Sequence, residues 1–403
     1  MYDDLRISGT RGRQSVVPAA LPATAALFGV NGALLASWVA EVPVVRSELD
    51  LSDARLGVAL AGVTLGSVLS LPFTTRLLRR LRPGGVTFLS GAVMAAGLAL
   101  TGFASSWPLL VASLVAFGAG FGLMDVALNV VGVRLEAQLH RSLLSRLHGM
   151  YSLGALLGAL LGALLITRGW DRPQHLTALS VLGLIAAAGC SRGLSAVTDY
   201  DAGDASPAPA WRGGLTVPLA MLGLLAFAAA VAEGAVGDWA GVYLRETVGS
   251  PPGVAALAFA GFSLTMLLGR LAGDGLATRF GPGPVGAGGV TIALGGLGLA
   301  VGVPVLAAST AGFMLFGLGL SVLAPLTFSA AGHWSAGNPA AMAVVGGVFY
   351  AGFVAGPPLL GVAAQGSSLR LAWLVVVVLL GVALVLTPWL CRRTHEKTLE
   401  AAA

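Results

Sequence analysis

The chain repeats itself once. Gly62 recurs as Gly261, 199 positions on, and the same offset carries Arg80, Pro83, Gly84 and Val86 onto Arg279, Pro282, Gly283 and Val285. It also carries Phe117, Gly118 and Gly120 onto Phe316, Gly317 and Gly319, and Tyr151 onto Tyr350. Glycine matches alone mean little in a chain with 58 of them, but Arg, Pro, Phe and Tyr matched in one unslipped register do not arise by chance. The offset is close to half of the 403 residues, so the fold is expected to contain two copies of one unit.

That unit is a membrane unit. Apolar residues make up 56% of the chain and charged residues 10%, whereas a soluble domain is about a quarter charged. About 20 apolar residues cross a bilayer as a helix, and the chain holds twelve such stretches. They fall near 20–42, 54–78, 84–104, 108–134, 145–168, 174–192, 214–245, 253–279, 284–302, 306–331, 341–364 and 369–391. The expected fold is an all-α membrane protein of twelve transmembrane helices in two six-helix bundles. Met1 to Gln14 is polar and lacks a cleavage site after a short apolar core, so no removable signal peptide is expected.

The formal charge of +5 raises the question of nucleic acid, and the distribution of charge answers it. The N-terminus, the 2–3, 4–5, 6–7 and 8–9 connections and the C-terminus hold 17 of the 23 Lys and Arg residues; the other side holds six, Arg46, Arg55, Arg168, Arg172, Arg245 and Arg370. Cytoplasmic loops carry the excess of Lys and Arg. The pattern therefore reports topology, not nucleic-acid binding, and places both termini in the cytoplasm. Cys190 and Cys391 lie near cytoplasmic helix ends, so a structural disulfide is not expected.

Arg192 to Gly214 reads as a tether, with Asp199, Asp201, Asp204, Pro207 and Pro209. It divides the chain into a first bundle at 1–192, a cytoplasmic linker at 193–213 and a second bundle with a short tail at 214–403. Gly154, Gly158 and Gly162 recur at steps of four in span 5, and Gly352 and Gly356 do so in span 11. Small residues so spaced let helix backbones approach closely in lipid. Plain packing and a sliding seam between bundles are both compatible with them.

Span 4 carries the sharpest chemical signal. Gly118, Gly122, Asp125, Asn129, Gly132 and Glu136 follow one stripe of a helix. Asp125 lies ~27 Å along it at 1.5 Å per residue, within the cytoplasmic half of the membrane. A carboxylate at that depth is costly unless paired or protonated, so Asp125 is a candidate proton carrier. Its alternative is a structural carboxyl, bonded to neighbouring backbone or paired with Arg134 or Arg146 at the cytoplasmic end. Span 7 holds Glu233 near its middle and Asp238 and Trp239 toward its outer end, among Gly234, Gly237 and Gly241, which loosen the helix. Glu233 reads as a cavity residue with both coupling and solute-binding potential; Asp238 and Trp239 are either solute contacts or an interfacial anchor.

Span 1 offers Asn31, Ser37, Trp38 and Glu41, the last two equally readable as anchors. Span 5 opens with Arg146, His148, Tyr151 and Ser152, and Tyr350 repeats Tyr151. The candidate solute site is therefore Asn31, Trp38, Asn129, His148, Tyr151, Ser152, Glu233, Asp238, Trp239 and Tyr350, with Asp125 and Glu233 for proton coupling. No metal-ligand cluster, nucleophile–base pair or phosphate loop is visible, so neither an enzyme nor a cofactor is expected.

The 8–9 connection, Gly269-Arg-Leu-Ala-Gly-Asp-Gly-Leu-Ala-Thr-Arg-Phe-Gly281, resembles the Gly-x-x-x-Asp-Arg-x-Gly-type cytoplasmic loop of the major facilitator superfamily. The resemblance implies a conformational latch of Arg270, Asp274 and Arg279. The first-half copy departs from it, with Thr75 in place of Asp274 and Leu71 in place of Arg270. The segments around Asp125 and Asn129, His148 to Gly154, Glu233 to Trp239 and Ala351 to Gly361 resemble the YbjJ-like group of bacterial inner-membrane proteins. They are also similar to the fucose-permease branch of sugar/proton symporters, whose fourth helix carries a carboxylate, three residues, then Asn-Pro. Asp125 and Asn129 match; Val130 replaces the Pro, and Val39 falls where that branch has a second carboxylate on helix 1. The repeat sets Asp238 opposite Val39, so Glu41, Glu233 and Asp238 are the candidates to substitute. The resemblance implies a monomeric secondary transporter working by alternating access on a small polar solute, a sugar or derivative, with protons. A proton-driven exporter of amphipathic compounds and a non-transporting sensor or scaffold are the rival readings; span 5 lacks the Gly-Pro signature of many exporters.

Overall fold

The computed structural model describes residues 17–139, 143–194, 216–334 and 339–400. All the regular structure among them is helical. Twelve helices are long and apolar enough to cross a membrane. The first six are α1 (Val17–Glu48), α2 (Asp53–Arg80), α3 (Pro83–Gly102), α4 (Trp107–Leu139), α5 (Leu144–Thr167) and α6 (Arg172–Leu194). The second six are α7 (Val217–Glu246), α8 (Pro252–Phe280), α9 (Pro282–Gly302), α10 (Leu306–Gly332), α11 (Pro339–Gly366) and α12 (Leu369–Thr387). Each of the twelve apolar stretches is thus one helix. The tether expected at 193–213 lies almost wholly outside the described residues, as do Cys391 and His333 as side chains.

Proline opens α3 and α9 at matched positions, Pro83 and Pro282, where its missing N–H costs nothing and its fixed φ suits a helix start. Ahead of Pro282, Gly281 adopts φ 83° and ends α8. One departure from the expected spans is a break in α10, where a turn at Ser321–Val322 separates Leu306–Leu320 from Leu323–Trp334. Pro325 explains it: its ring crowds the carbonyl four residues back, that of Ser321.

The two halves of the sequence use the same neighbours. In the first, α3 packs on α4 and α6; in the second, α9 packs on α10 and α12. Gly154 of α5 lies on the backbone of Gly29 in α1, Gly158 follows on Ala33, and Gly118 of α4 lies on Val63 of α2. Likewise α7 packs on α11, where Gly352 meets Phe227 and Ala230, and α8 on α10. The glycine stripes therefore serve close packing within each half. A Cβ at Gly154 would collide with the carbonyl oxygen of Gly29, whereas one at Gly298 would meet nothing within 4 Å. Gly154→Ala is expected to destabilise the protein by roughly 1–3 kcal/mol, as overpacking does, and Gly298→Ala to leave it unchanged. Thermal unfolding of the purified protein in detergent checks the pair; equal midpoints would contradict the packing.

Two arginines that the charge tally counts only as outer-side residues have a structural task. Arg172, at the start of α6, donates to the carbonyls of Thr101 (3.1 Å) and Ala104 (2.8 Å) at the end of α3. Arg370, at the start of α12, donates to those of Val301 (2.9 Å) and Gly302 (3.1 Å) at the end of α9. Each adds a charged donor to carbonyls at a helix C-terminus and opposes its negative dipole end.

The chain forms two compact units that do not follow the halves of the sequence. One contains Met1–Trp38, Gly62–Gly158 and Trp170–Ala205; the other contains Val39–Ala61, Ala159–Gly169 and Ser206–Ala403. The last part of α1, the first part of α2 and the end of α5 are thus packed with the second-half helices. Within this second unit Ala40, Ala163 and Ala256 make one small buried cluster, and Gly57 of α2 lies on Pro357 of α11. In the same unit Arg46 reaches Asp53 at 2.8 Å and Glu246 at 2.9 Å, tying the ends of α1 and α7 to the start of α2.

Candidate functional site

In the first unit the polar residues of α4 and α5 come together. Asp125 is half-buried, and no described cation lies within ion-pair distance of it. No ion pair of Asp125 with Arg134 or Arg146 is seen among the described residues. Asn129, one turn on, donates through Nδ2 to the backbone carbonyl of Asp125 at 2.9 Å, and its amide also lies beside the Asp125 carboxyl. Its Oδ1 lies 3.1 Å from His148 Nε2; since Oδ1 only accepts, that nitrogen is the donor. Phe28 of α1 sets its edge against the His148 ring at a centroid distance of 5.1 Å, and Ser152 donates to the His148 carbonyl at 3.3 Å. Tyr151 meets Phe121 edge-on.

Asn31 of α1 is 1% exposed, and neither its amide nitrogen nor its amide oxygen has a hydrogen-bond partner among the described residues. A buried amide without partners is costly, and such groups mark places where a ligand or water completes the bonding. The polar stripe of α4 is not uniform in role. Gly118 and Gly122 pack on α2, and Glu136 caps the start of α5 by accepting from the N–H groups of Leu143 and Leu144. Only Asp125 and Asn129 are left for chemistry.

In the second unit α7 departs from α-helical form where its glycines loosen it. Val236–Ala240 is a π turn, containing Asp238 and Trp239. Such turns are frequent at functional sites. Asp238 is half-buried, with no described ion-pair partner, whereas Trp239 is fully buried. Trp38 and Glu41 are likewise buried, at 2% and 1% exposure. The anchor reading of these three side chains is therefore corrected: an interfacial belt residue faces lipid headgroups, and these face the protein interior. Tyr350 is 38% exposed and packs edge-on to Phe349.

Glu233 has a partner that the sequence placed elsewhere. Arg270 Nη2 lies 3.2 Å from its Oε1 and 3.3 Å from its Oε2. The segment read as the 8–9 connection is helical, because α8 runs to Phe280. Asp274 lies within that helix, and its side chain is outside the described residues. Arg270 turns to Glu233, and Arg279 lies over the Phe280 ring, 5.1 Å from its centroid. Sequence reasoning missed the Arg270–Glu233 pair because the loop motif accounted for Arg270. It missed the Arg46 cluster because no spacing rule joins residues 46, 53 and 246. Among the described residues no group of three His, Cys, Asp or Glu side chains is placed to hold a metal.

The sequence matches the Major Facilitator Superfamily over residues 21–233 and again over 222–402. The chain belongs to that superfamily. It is 32% identical over 358 residues to an uncharacterised MFS-type transporter of Yersinia pestis, covering 88% of this chain and 91% of the relative. Its fold is similar to that of the nucleoside transporter NupG, with a TM-score of 0.74 at 11% identity over 92% of this chain and 98% of the other. It is also similar to FucP in the outward conformation, with a TM-score of 0.59 at 17% identity over 93% and 99%. The twelve helices thus form the major facilitator fold, and the protein is a multi-pass membrane transporter, not an enzyme.

Proposed function

We propose that this transporter couples proton movement to passage of a small polar solute, a sugar or sugar derivative, across the bacterial inner membrane by alternating access. It does so as a monomer, with residues 1–192 and 214–403 as its two bundles and both termini in the cytoplasm. Asp125 is the proton-loading group. The observation that carries this reading is a carboxyl at membrane depth with no described counter-cation, one helical turn from the Asn129–His148 hydrogen bond. A carboxyl so placed is held at low cost in its neutral form, and it releases its proton when water reaches it from one side. Asn31, Asn129, His148, Tyr151 and Ser152 provide donors and acceptors for the solute, and Asn31 holds two unused ones. Trp38, Asp238, Trp239 and Tyr350 are the further solute contacts in this reading.

Glu233 fits the solute role better than the coupling role, because its ion pair with Arg270 must break before it can take up a proton. Binding to the folded state raises its stability by mass action, so a thermal-shift panel of sugars, sugar acids and nucleosides finds the ligand. Flux of that ligand into proteoliposomes under an imposed pH gradient then tests the function. Gradient-driven accumulation is expected. Binding with no flux would leave a sensor, and flux indifferent to pH would remove the proton.

The orientation has its own test. A single Cys at Asp204, with Cys190 and Cys391 replaced, is expected to resist impermeant thiol reagents in intact cells. Labelling as fast as at a Cys in the α5–α6 connection would reverse the assignment.

A further inference from the structure

Arg270 stands three residues before the end of the apolar span Pro252–Gly273, and Glu233 lies near the middle of Val217–Glu246. Their side chains remain 34% and 26% exposed. Ionised groups at such a position are not left facing lipid; they border water-filled space or one another. The pairing itself is incomplete. One nitrogen, Nη2, touches both carboxylate oxygens, at 3.2 and 3.3 Å. A guanidinium and a carboxylate in their strongest geometry use two parallel N–H groups. Here Nε and Nη1 have no hydrogen-bond partner among the described residues; each forms one two-donor edge of the fork together with Nη2, the nitrogen that Glu233 already touches.

We propose that Arg270 and Glu233 together receive a solute that carries a carboxylate with an ammonium or hydroxyl group beside it. The planar carboxylate takes two parallel N–H donors, Nε or Nη1 with the second hydrogen of Nη2, while Glu233 keeps the first. The neighbouring donor on the solute points to Glu233, which has acceptor sites to spare. The ion pair is neutral as a unit, so it needs no further counter-ion before the solute arrives. A neutral sugar offers that edge only hydroxyl oxygens, which do not match two parallel donors. The role of Arg270 is then recognition rather than latching. This inference rests on the reading of the chain as a carrier of small polar solutes.

The test is a panel of matched pairs: hexuronates and aldonates against the corresponding hexoses and alditols, and amino acids against their amides. Binding is measured by thermal shift and calorimetry on the full-length protein in detergent. The carboxylate member of at least one pair is expected to bind, and its neutral partner to bind at least about tenfold more weakly. Arg270→Gln is expected to remove that preference, and Arg270→Lys to lose about tenfold in affinity, because lysine keeps the charge but not the fork. Glu233→Gln gives a second, independent readout. It is expected to weaken the amino or hydroxy acid while leaving propionate and other simple carboxylates unaffected, so the inference stays testable even where an Arg270 variant does not fold. Equal binding of neutral partners, unchanged affinity in folded Arg270 variants, or no binding anywhere in the panel would overturn the proposal. Carboxylate binding without flux into proteoliposomes would keep the Arg270–Glu233 site and remove the carrier reading instead.

Discussion

Asp125→Asn is expected to abolish accumulation of solute driven by a pH gradient while sparing solute binding and counterflow exchange. The amide has nearly the shape of the neutral acid, and it keeps the Asn129 bond to the backbone carbonyl at position 125. What it loses is the proton. A coupled carrier draws free energy from the gradient only when a proton bound on one side is released on the other, and a group that never releases one cannot couple. At a tenfold proton gradient each proton contributes about 1.4 kcal/mol, a factor of ten in solute ratio. The variant is therefore expected to equilibrate solute and go no further. Counterflow in reconstituted vesicles, measured beside gradient-driven uptake, separates the two activities. If vesicles carrying Asp125→Asn still concentrate solute in a pH-dependent way, the coupling role moves to another carboxyl, with half-buried Asp238 in the π turn of α7 as the next candidate.

The second large effect is expected at Arg46. This side chain is 15% exposed and joins the end of α1 to Asp53 at the start of α2 and to Glu246 at the end of α7. In the same unit Ala40, Ala163 and Ala256 are buried together. By the proposed topology these helix ends face away from the cytoplasm, and the Arg46 contacts are expected to hold that end of the second unit shut. A hydrogen bond to a charged group contributes about 1.5–3 kcal/mol, and Arg46 makes two such contacts. Glu246, 38% exposed, counts for less because solvent screens it. Arg46→Ala is expected to raise the population opened on that side by tenfold or more. A Cys placed at Ala256, 4% exposed as it stands, reports it: impermeant reagents should modify it slowly in the parent and at least tenfold faster with Arg46→Ala. Glu246→Gln should produce a smaller acceleration. Equal rates in all three proteins would show that apolar packing alone keeps this end shut.

Most of the fold was legible in the sequence because the membrane imposes one rule on every span. Apolar stretches of the right length become helices, and the boundaries fall where Pro83, Pro252 and Pro282 stand. The loosened part of α7 was legible too, from Gly234, Gly237 and Gly241, and it appears as the π turn at Val236–Ala240. The break in α10 had a signal, Pro325, whose consequence falls four residues upstream at Ser321. The matched caps Arg172 and Arg370 were hidden because their spacing is one residue short of the repeat, so the single register that revealed the halves passed over them. At the site, Asp125 with Asn129, and His148 with Tyr151 and Ser152, each followed from helix periodicity; the Asn129–His148 contact that joins the two groups did not. The ion pairs did not. Arg270 with Glu233, and Arg46 with Asp53 and Glu246, join helices whose relative rotation is set by packing, which leaves no trace in local sequence. Burial was equally invisible: Trp38, Glu41 and Trp239 lie at depths where a lipid-facing belt and a protein interior have the same hydropathy.

Proton movement in step with solute is the property on which this reading of the protein stands, and a pH-sensitive dye trapped in proteoliposomes measures it directly. With no gradient imposed, adding the solute identified by the binding panel outside vesicles of the parent protein is expected to shift the internal pH within the time course of solute entry, in proportion to the solute taken up. Vesicles carrying Asp125→Asn are expected to exchange labelled solute with no such shift. Solute uptake by the parent protein with the internal pH unmoved would contradict proton coupling, and with it the role of Asp125.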